Sequence, residues 1–548
     1  MDKNKITQYF RDSGFLNDSA ATLIHQYSTV ARKSLATQQV DNRNSKGWGR
    51  GEYLIAYFEN DGKDIDDLLN GWKKLTKDYK NQYLLLEVDE GVWNMYDSSS
   101  RLLGGNDYIE TFLKRLSPMV VSNDLIMNSR LQALRTKPFL LLAGISGTGK
   151  SRIVREFAFK SCPEYLQDKN GTTPGNYCMI EVKPNWHDST ELLGYYSRLG
   201  SEPGYQFTKF VKFLVKAKMF PHVPFFVCLD EMNLAPVEQY FAEILSILET
   251  RKTVIGEDGK KTIKTGAIID ASHFKELGKI GGYMPNFTDR DIYMKLCGID
   301  TESDIADEVG GRYELTTEGL TLPDNVIIVG TVNMDDTTHH FSRKVIDRAM
   351  TIEMNGGNLR DMFGGSRNLE YLPKAEQEKW QYAFACRYVT ADEVLKAHPG
   401  EADELVERLP ARLEEINMAL KGTPFEVSYR VLNELTIMVG VMLDEGIELD
   451  EAINQSVNNI LLMKILPRIE GDAEMFTLSR ERKAKLGVTY DNRLEWLMAL
   501  APGAQDETSA VEGEDDSASA KEHQPTAKEK IQEMIDRLNN QEFTRFWP

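Results

Sequence analysis

The apolar stretch Phe139-Leu140-Leu141-Leu142-Ala143 runs straight into Gly144-Ile145-Ser146-Gly147-Thr148-Gly149-Lys150-Ser151, and Ile153, Val154, Phe157 and Ala158 then recur at helical spacing. A buried strand, a glycine-rich turn and a helix in immediate succession leave little choice of architecture. Such a unit needs further parallel strands beside it and helices over both sheet faces. The turn also carries chemistry. It satisfies G-x-x-x-x-G-K-[ST] at each fixed position, so backbone N–H groups of the turn and of the helix N-terminus converge on a phosphate. The candidate binding residues are Gly144, Ser146, Gly147, Thr148, Gly149, Lys150 and Ser151. Lys150 is expected to reach the β- and γ-phosphates of a nucleoside triphosphate, and the Ser151 hydroxyl to ligate Mg2+.

Two further strand ends bear on the same site. Phe225 to Leu229 is an apolar run ending in Asp230-Glu231, and a parallel sheet delivers side chains to a ligand at its strands' carboxyl ends. Asp230 is expected to hold the Mg2+ shell and Glu231 to polarise an attacking water, since anhydride hydrolysis needs a base beside the γ-phosphate. The run Asn325 to Val332 ends at Asn333, whose amide is placed to bond the γ-phosphate or the water. His339 and His340 are adjacent, and side chains at i and i+1 of a helix share no face, so metal ligation by the pair is not expected.

The chain predicts an α/β domain over 119–355, with strands at Phe139–Ala143, Cys178–Val182, Pro224–Asp230, Asn325–Asn333 and Met350–Met354. Residues 251–322 read as an insertion. It opens with a hairpin, because Asp258-Gly259 between Thr253-Val254-Ile255 and Thr262-Ile263 supplies the turn that right-twisted strands favour; Ser272 to Glu308 reads as helical. A helical domain is expected over 356–500, where Leu405, Leu409, Leu413, Ile416 and Leu420 recur at spacings of three and four. Residues 501–526 are acidic and rich in Gly, Ser and Ala, the composition of a tether. A docking helix follows over 527–548, with Ile531, Met534, Ile535 and Leu538 on one face. Residues 1–118, with the strand-like run Tyr83 to Val88, read as a small separate α+β domain.

Composition narrows the function classes. The chain has 548 residues, which at roughly 100–200 per domain means several domains. Its 65 Lys and Arg against 84 Asp and Glu give a net charge of −19, so the surface as a whole repels nucleic acid and any DNA contact must be local or supplied by a partner. No run approaches the ~18 apolar residues of a membrane span, and Met1-Asp2-Lys3-Asn4-Lys5 leads into no apolar export signal. A cytoplasmic protein with no membrane partner is expected. Five widely spaced cysteines without a C-x-x-C pair argue against both a disulfide framework and a zinc site.

Taken together these segments resemble the AAA+ superfamily, and within it the McrB family of motor subunits of modification-dependent restriction systems. The resemblance rests on Gly144 to Ser151, on Lys183-Pro184-Asn185-Trp186-His187-Asp188 with Glu191-Leu192-Leu193-Gly194-Tyr195-Tyr196, on Leu229-Asp230-Glu231-Met232-Asn233-Leu234-Ala235, and on Gly330-Thr331-Val332-Asn333-Met334-Asp335. Ser428-Tyr429-Arg430-Val431 and the ending Phe543 to Pro548 are similar to further family segments. The resemblance implies a five-stranded parallel AAA+ core with a helical lid, assembled as a ring, usually a hexamer. By it, Asp230 and Glu231 are the Walker B carboxylates and Asn333 is sensor 1. Arg430 approaches the γ-phosphate from the lid, and Arg348 is an arginine finger reaching the nucleotide of a neighbouring subunit, with Arg343 a second candidate. Many relatives carry consecutive arginines where this chain has Met350-Thr351-Ile352-Glu353, a departure from the family pattern at the position of any further finger. The implied substrate is ATP or GTP with Mg2+. The implied partners are copies of this chain, DNA and a McrC-like nuclease subunit, in defence against foreign DNA. A MoxR-like ATPase remodelling protein partners is the alternative within the same branch. Two nucleic-acid readings stand apart from these. Asp168 with Glu181-Val182-Lys183 imitates half of a nuclease site, but that strand runs into the family's Trp186 block; the loop Asn42 to Arg50, basic and aromatic, is a candidate DNA contact read mainly as a solvated loop.

Overall fold

The computed structural model describes residues 21–25, 53–58, 65–76, 82–89, 92–97, 99–106, 108–109, 125–168, 170–198, 204–255, 261–280, 288–298, 312–334, 339, 341–354, 369–503 and 526–547. The chain divides into two compact units, Met1–Val120 with Met442–Ala452, and Val121–Val441 with Ile453–Pro548.

In the first unit, β1 (Ala21–His25), β2 (Tyr53–Phe58), β3 (Gln82–Asp89), β4 (Val92–Tyr96) and β5 (Leu102–Gly104) form one sheet in that order. Its first two pairings are parallel and its last two antiparallel. The helix Ile65–Thr76 contributes Trp72, which is fully buried and donates from Nε1 to the Asp97 carbonyl at 2.8 Å. The run expected as a strand at Tyr83 to Val88 lies within β3. The loop Asn42 to Arg50 lies outside the described residues.

The second unit is organised on a five-stranded, fully parallel sheet of β6 (Phe139–Gly144), β7 (Tyr177–Glu181), β10 (Phe225–Asp230), β15 (Val326–Asn333) and β16 (Met350–Glu353). Their order across the sheet is β16-β6-β15-β10-β7. These are the five strands expected, with ends shifted by one residue at most. Their runs show little polar alternation because helices cover both faces; every residue of β6, and all of β15 but its last, is buried. The hairpin β8 (Gly194–Ser197) with β9 (Gly204–Phe207) was not anticipated from the sequence. The hairpin β11 (Lys252–Ile255) with β12 (Lys261–Lys264) pairs Thr253 with Ile263 as the Asp-Gly signal implies, although that turn lies outside the described residues. A short pair, β13 (Ala267–Ile269) with β14 (Leu320–Thr321), closes the insertion, whose described helices are Ala271–Ile280, Asp289–Cys297 and the short Leu315–Glu318.

The helical region includes Ala402–Leu420, whose Leu405, Leu409, Leu413, Ile416 and Leu420 form the expected buried face, and Tyr429–Asp444. Leu449–Ile460 runs on into a π-helical turn, Leu461–Ile465, buried throughout. The last helix, Ala527–Gln541, starts with a capping box between Thr526 and Glu529 and buries Ile531, Met534, Ile535 and Leu538. It packs against Arg493–Leu500 of its own chain, and β18 (Phe543–Arg545) pairs antiparallel with β17 (Glu470–Asp472). The helix is tied to the end of β16 by a buried ion pair, Lys530 to Glu353 at 2.6 Å. No helix among the described residues is long and apolar enough to cross a membrane.

Candidate nucleoside triphosphate site

The turn 144–151 joins β6 to the helix Lys150–Ser161. Gly147 and Gly149 take φ values of +85° and +81°, the left-handed region that costs a side-chain-bearing residue roughly 1–2 kcal/mol. Gly144 is constrained differently: a Cβ there would lie 2.2 Å from the Met354 carbonyl oxygen, just past the neighbouring strand β16. Lys150, only 6% exposed, folds back along the turn and donates from Nζ to the carbonyls of Gly144 (3.0 Å) and Ile145 (2.7 Å). Thr148 closes the loop with a 3.0 Å hydrogen bond to the Ile145 carbonyl. A polyphosphate entering the loop would let the ammonium exchange those neutral carbonyl acceptors for anionic phosphate oxygens.

The carboxyl ends of β10 and β15 bring the other expected residues to the first turn of that helix. The Ser151 hydroxyl donates to Asp230 Oδ1 at 2.5 Å, and the Thr331 hydroxyl donates to the same oxygen at 2.8 Å. The Thr331 oxygen in turn accepts from the Glu231 backbone N–H at 2.9 Å. Glu231 stands in a left-handed conformation, φ +51°, and its Oε1 accepts from Asn333 Nδ2 at 3.0 Å. Asn233, also buried, donates from Nδ2 to the Asn333 carbonyl at 2.9 Å, tying the loop after β10 to the end of β15. Ser151, Asp230, Thr331, Glu231 and Asn333 thus form one continuous hydrogen-bonded chain. A serine hydroxyl and a carboxylate oxygen side by side are hard donors of the kind Mg2+ takes together with substrate phosphates and water.

Thr331 and Asn233 were not singled out from the sequence. The signal for Thr331 was present, since side chains at i and i+2 of a strand share a face and Asn333 had already been placed.

The arginines lie elsewhere. Arg348, past the short helix Arg343–Ile346, ion-pairs from Nε to Glu249 Oε1 at 2.9 Å and donates from Nη1 to the Lys344 carbonyl at 2.9 Å. Arg430 at the start of Tyr429–Asp444 reaches the same Glu249 oxygen from Nη2 at 2.5 Å. The residue expected to serve its own nucleotide and the residue expected to serve a neighbour's therefore share one carboxylate. Arg343 turns away, lying 5.3 Å over the Phe425 ring and donating to the Pro424 carbonyl.

Behind this pair lies a buried polar cluster that the sequence did not disclose. Glu434, one turn beyond Arg430, is paired with Lys137 and, at 2.9 Å, with Lys464. Lys464 is 1% exposed and donates to the carbonyls of Asp347 (2.7 Å) and Ala349 (2.9 Å), on either side of Arg348. Burial, opposed by Glu434 and assisted by Lys137, pulls the Lys464 ammonium down to about 7. The Glu434 carboxyl is buried as well, yet the two lysines hold it below the usual range.

The nuclease imitation does not assemble. Asp168 lies before β7 and accepts from Tyr371 at 2.9 Å and from Thr172, whereas Glu181 ends β7 opposite Asp230. Asp168 belongs to the loop that precedes β7, and Glu181 to the opposite end of that strand. Trp186 packs edge-on against Tyr240 at 5.2 Å as part of the core. His340 and 335–338 lie outside the described residues.

Comparison with known proteins adds little to this geometry. The family profile described as "Domain of unknown function (DUF8727)" matches residues 385–543, a stretch that contains Arg430 and Lys464 and excludes the phosphate turn. No curated protein matches the chain. Among solved structures, a "putative ATPase" from Cytophaga hutchinsonii ATCC 33406 aligns over 72% of this chain and 92% of its own, at 14% identity and a TM-score of 0.35. That likeness is too distant to carry an argument about fold or activity.

Proposed function

We propose that the chain is an AAA+ nucleoside triphosphatase of McrB type, a ring-forming motor that couples hydrolysis of ATP or GTP to DNA translocation or to activation of a McrC-like nuclease. The observation that carries this reading is the hydrogen-bonded chain from Ser151 through Asp230, Thr331 and Glu231 to Asn333, set against a G-K-S turn. In it Ser151 and Asp230 would hold Mg2+, which when bound neutralises charge on the transferring phosphoryl group. Lys150 and the turn's N–H groups bind the phosphates, and Asn333 orients Glu231 toward the water whose proton Glu231 accepts.

Arg348 and Arg430 meet at Glu249 and not at the turn, which favours both acting on the triphosphate of an adjoining copy. A cation placed against the γ-phosphate accelerates such hydrolysis strongly, and a ring supplies it only when subunits stand side by side. DNA contact and the nuclease partner rest on the family resemblance, as does ring size.

The test is a turnover assay of the full chain with Mg2+ and ATP or GTP, with and without DNA and a co-expressed nuclease-type partner. Hydrolysis stimulated by DNA or by that partner is expected, and is abolished in Lys150→Ala. Hydrolysis stimulated only by a protein client, with DNA and nuclease without effect, would favour the MoxR-like alternative. Absence of hydrolysis under every condition would remove the motor reading.

A further inference from the structure

We propose that Glu249 is a positioning residue that holds Arg348 and Arg430 together as one cationic pair, presented to the triphosphate of an adjoining copy. This rests on the reading of the arginines just given. Glu249 caps the C-terminal end of the helix Ala242–Leu248, in the segment that follows the Asp230-Glu231 loop. Its Oε1 is the meeting point of Arg348 Nε (2.9 Å) and Arg430 Nη2 (2.5 Å), groups that come from different parts of the fold. Two guanidinium groups that close repel each other, and a carboxylate between them turns repulsion into a fixed geometry. One negative charge against two positive leaves the group net cationic, so it still attracts an anion.

The same two elements are braced again from behind. Lys464 holds the carbonyls on either side of Arg348, and its partner Glu434 lies one turn along from Arg430. The rear brace is buried; the front one is open on the Arg430 side. Glu249 is 35% exposed, Arg430 is 41% exposed and Tyr429 beside it is 90% exposed, whereas Arg348 is 20% exposed with its Nε buried, so an anion on a neighbouring surface can reach the group past Arg430. An ion pair as exposed as Arg430 with Glu249 adds little to folding stability. Its arrangement is therefore explained better by aim than by stabilisation, and replacing Glu249 should leave the protein folded.

The experiment measures turnover of full-length Glu249→Gln, Glu249→Asp, Arg348→Ala and Lys150→Ala, alone and in equimolar mixtures, with melting temperature and KM recorded for each. Glu249→Gln is expected to lose roughly 10- to 100-fold in kcat with KM and melting temperature nearly unchanged, because a misaimed cation costs transition-state stabilisation alone. Glu249→Asp, which keeps the charge, should recover part of the loss. Mixing Glu249→Gln with Lys150→Ala should restore activity, since the second supplies correctly aimed arginines to the intact nucleotide site of the first. Mixing it with Arg348→Ala should not, because neither donates a competent pair. A Glu249→Gln chain with wild-type kcat beside an inactive Arg348→Ala overturns the positioning role and leaves the reading of Arg348 standing. So does a loss that Lys150→Ala cannot complement. Wild-type turnover by Arg348→Ala overturns the reading itself, and the role of Glu249 with it.

Discussion

Around Asp230, each polar side chain finds its partner at the ends of adjoining strands or in the first turn of the helix after β6, and the whole array closes at the carboxyl edge of one sheet. Around Glu249, the partners come from a helix end, a turn and a separate helical region, and the two cations point at a carboxylate where a phosphate is expected. The first cluster is complete within a single chain; the second joins two cations on one carboxylate. On the function proposed above, binding and cleavage of the triphosphate would be built separately: a subunit alone would grip the substrate, and completing the charge arrangement would need an adjoining surface.

Glu231→Gln should lower turnover by about 10²–10⁴-fold while leaving triphosphate binding intact, read by single-turnover kinetics beside equilibrium binding. Unchanged turnover would mean that the Asp230 cluster lacks the base and that the division is drawn in the wrong place. Thr331→Val keeps shape but removes the hydroxyl shared by Asp230 and the Glu231 N–H, so kcat should fall by about 10-fold or more and Thr331→Ser should recover it. An equal loss in Ser and Val would make Thr331 a packing residue.

The smallest effect concerns the brace behind the arginines. A lysine whose folded pKa lies near 7, below its unfolded value, leaves the unfolded chain holding more protons between that pH and about 10.4. Folding stability from this group therefore rises with pH across that window. Comparing the pH dependence of melting temperature in the wild type and Lys464→Met should show a shallower rise in the variant; identical slopes would exclude titration of Lys464 there.

How far the sequence discloses each cluster follows from the same contrast. The phosphate turn, the Asp230-Glu231 pair and Asn333 are legible because each sits where an unbroken apolar strand ends, and strand ends in a parallel sheet share an edge. Thr331 was readable by the period of its strand. Glu249 was not. Glu249-Thr250-Arg251 at a helix end has the composition of a solvated surface, and nothing local points to Arg348 or Arg430. Lys464 lies in a run of apolar residues whose lone lysine gives no hint of the carbonyls that it bonds. The hairpin of β8 and β9 escaped because glycine, serine and tyrosine there show no apolar alternation. Arg430 was found by resemblance, and its meeting with Arg348 emerged only from the tertiary arrangement.

On the proposed function, residues 144–151 grip a magnesium-bound triphosphate. Equilibrium titration of the Glu231→Gln chain with a fluorescent ATP or GTP analogue, with and without Mg2+, addresses it directly when a chain also carrying Lys150→Ala is measured beside it. Saturable, Mg2+-dependent binding weakened about 100-fold or more by the lysine change is the result predicted. Equal binding by both chains, or none by either at millimolar analogue, would contradict it.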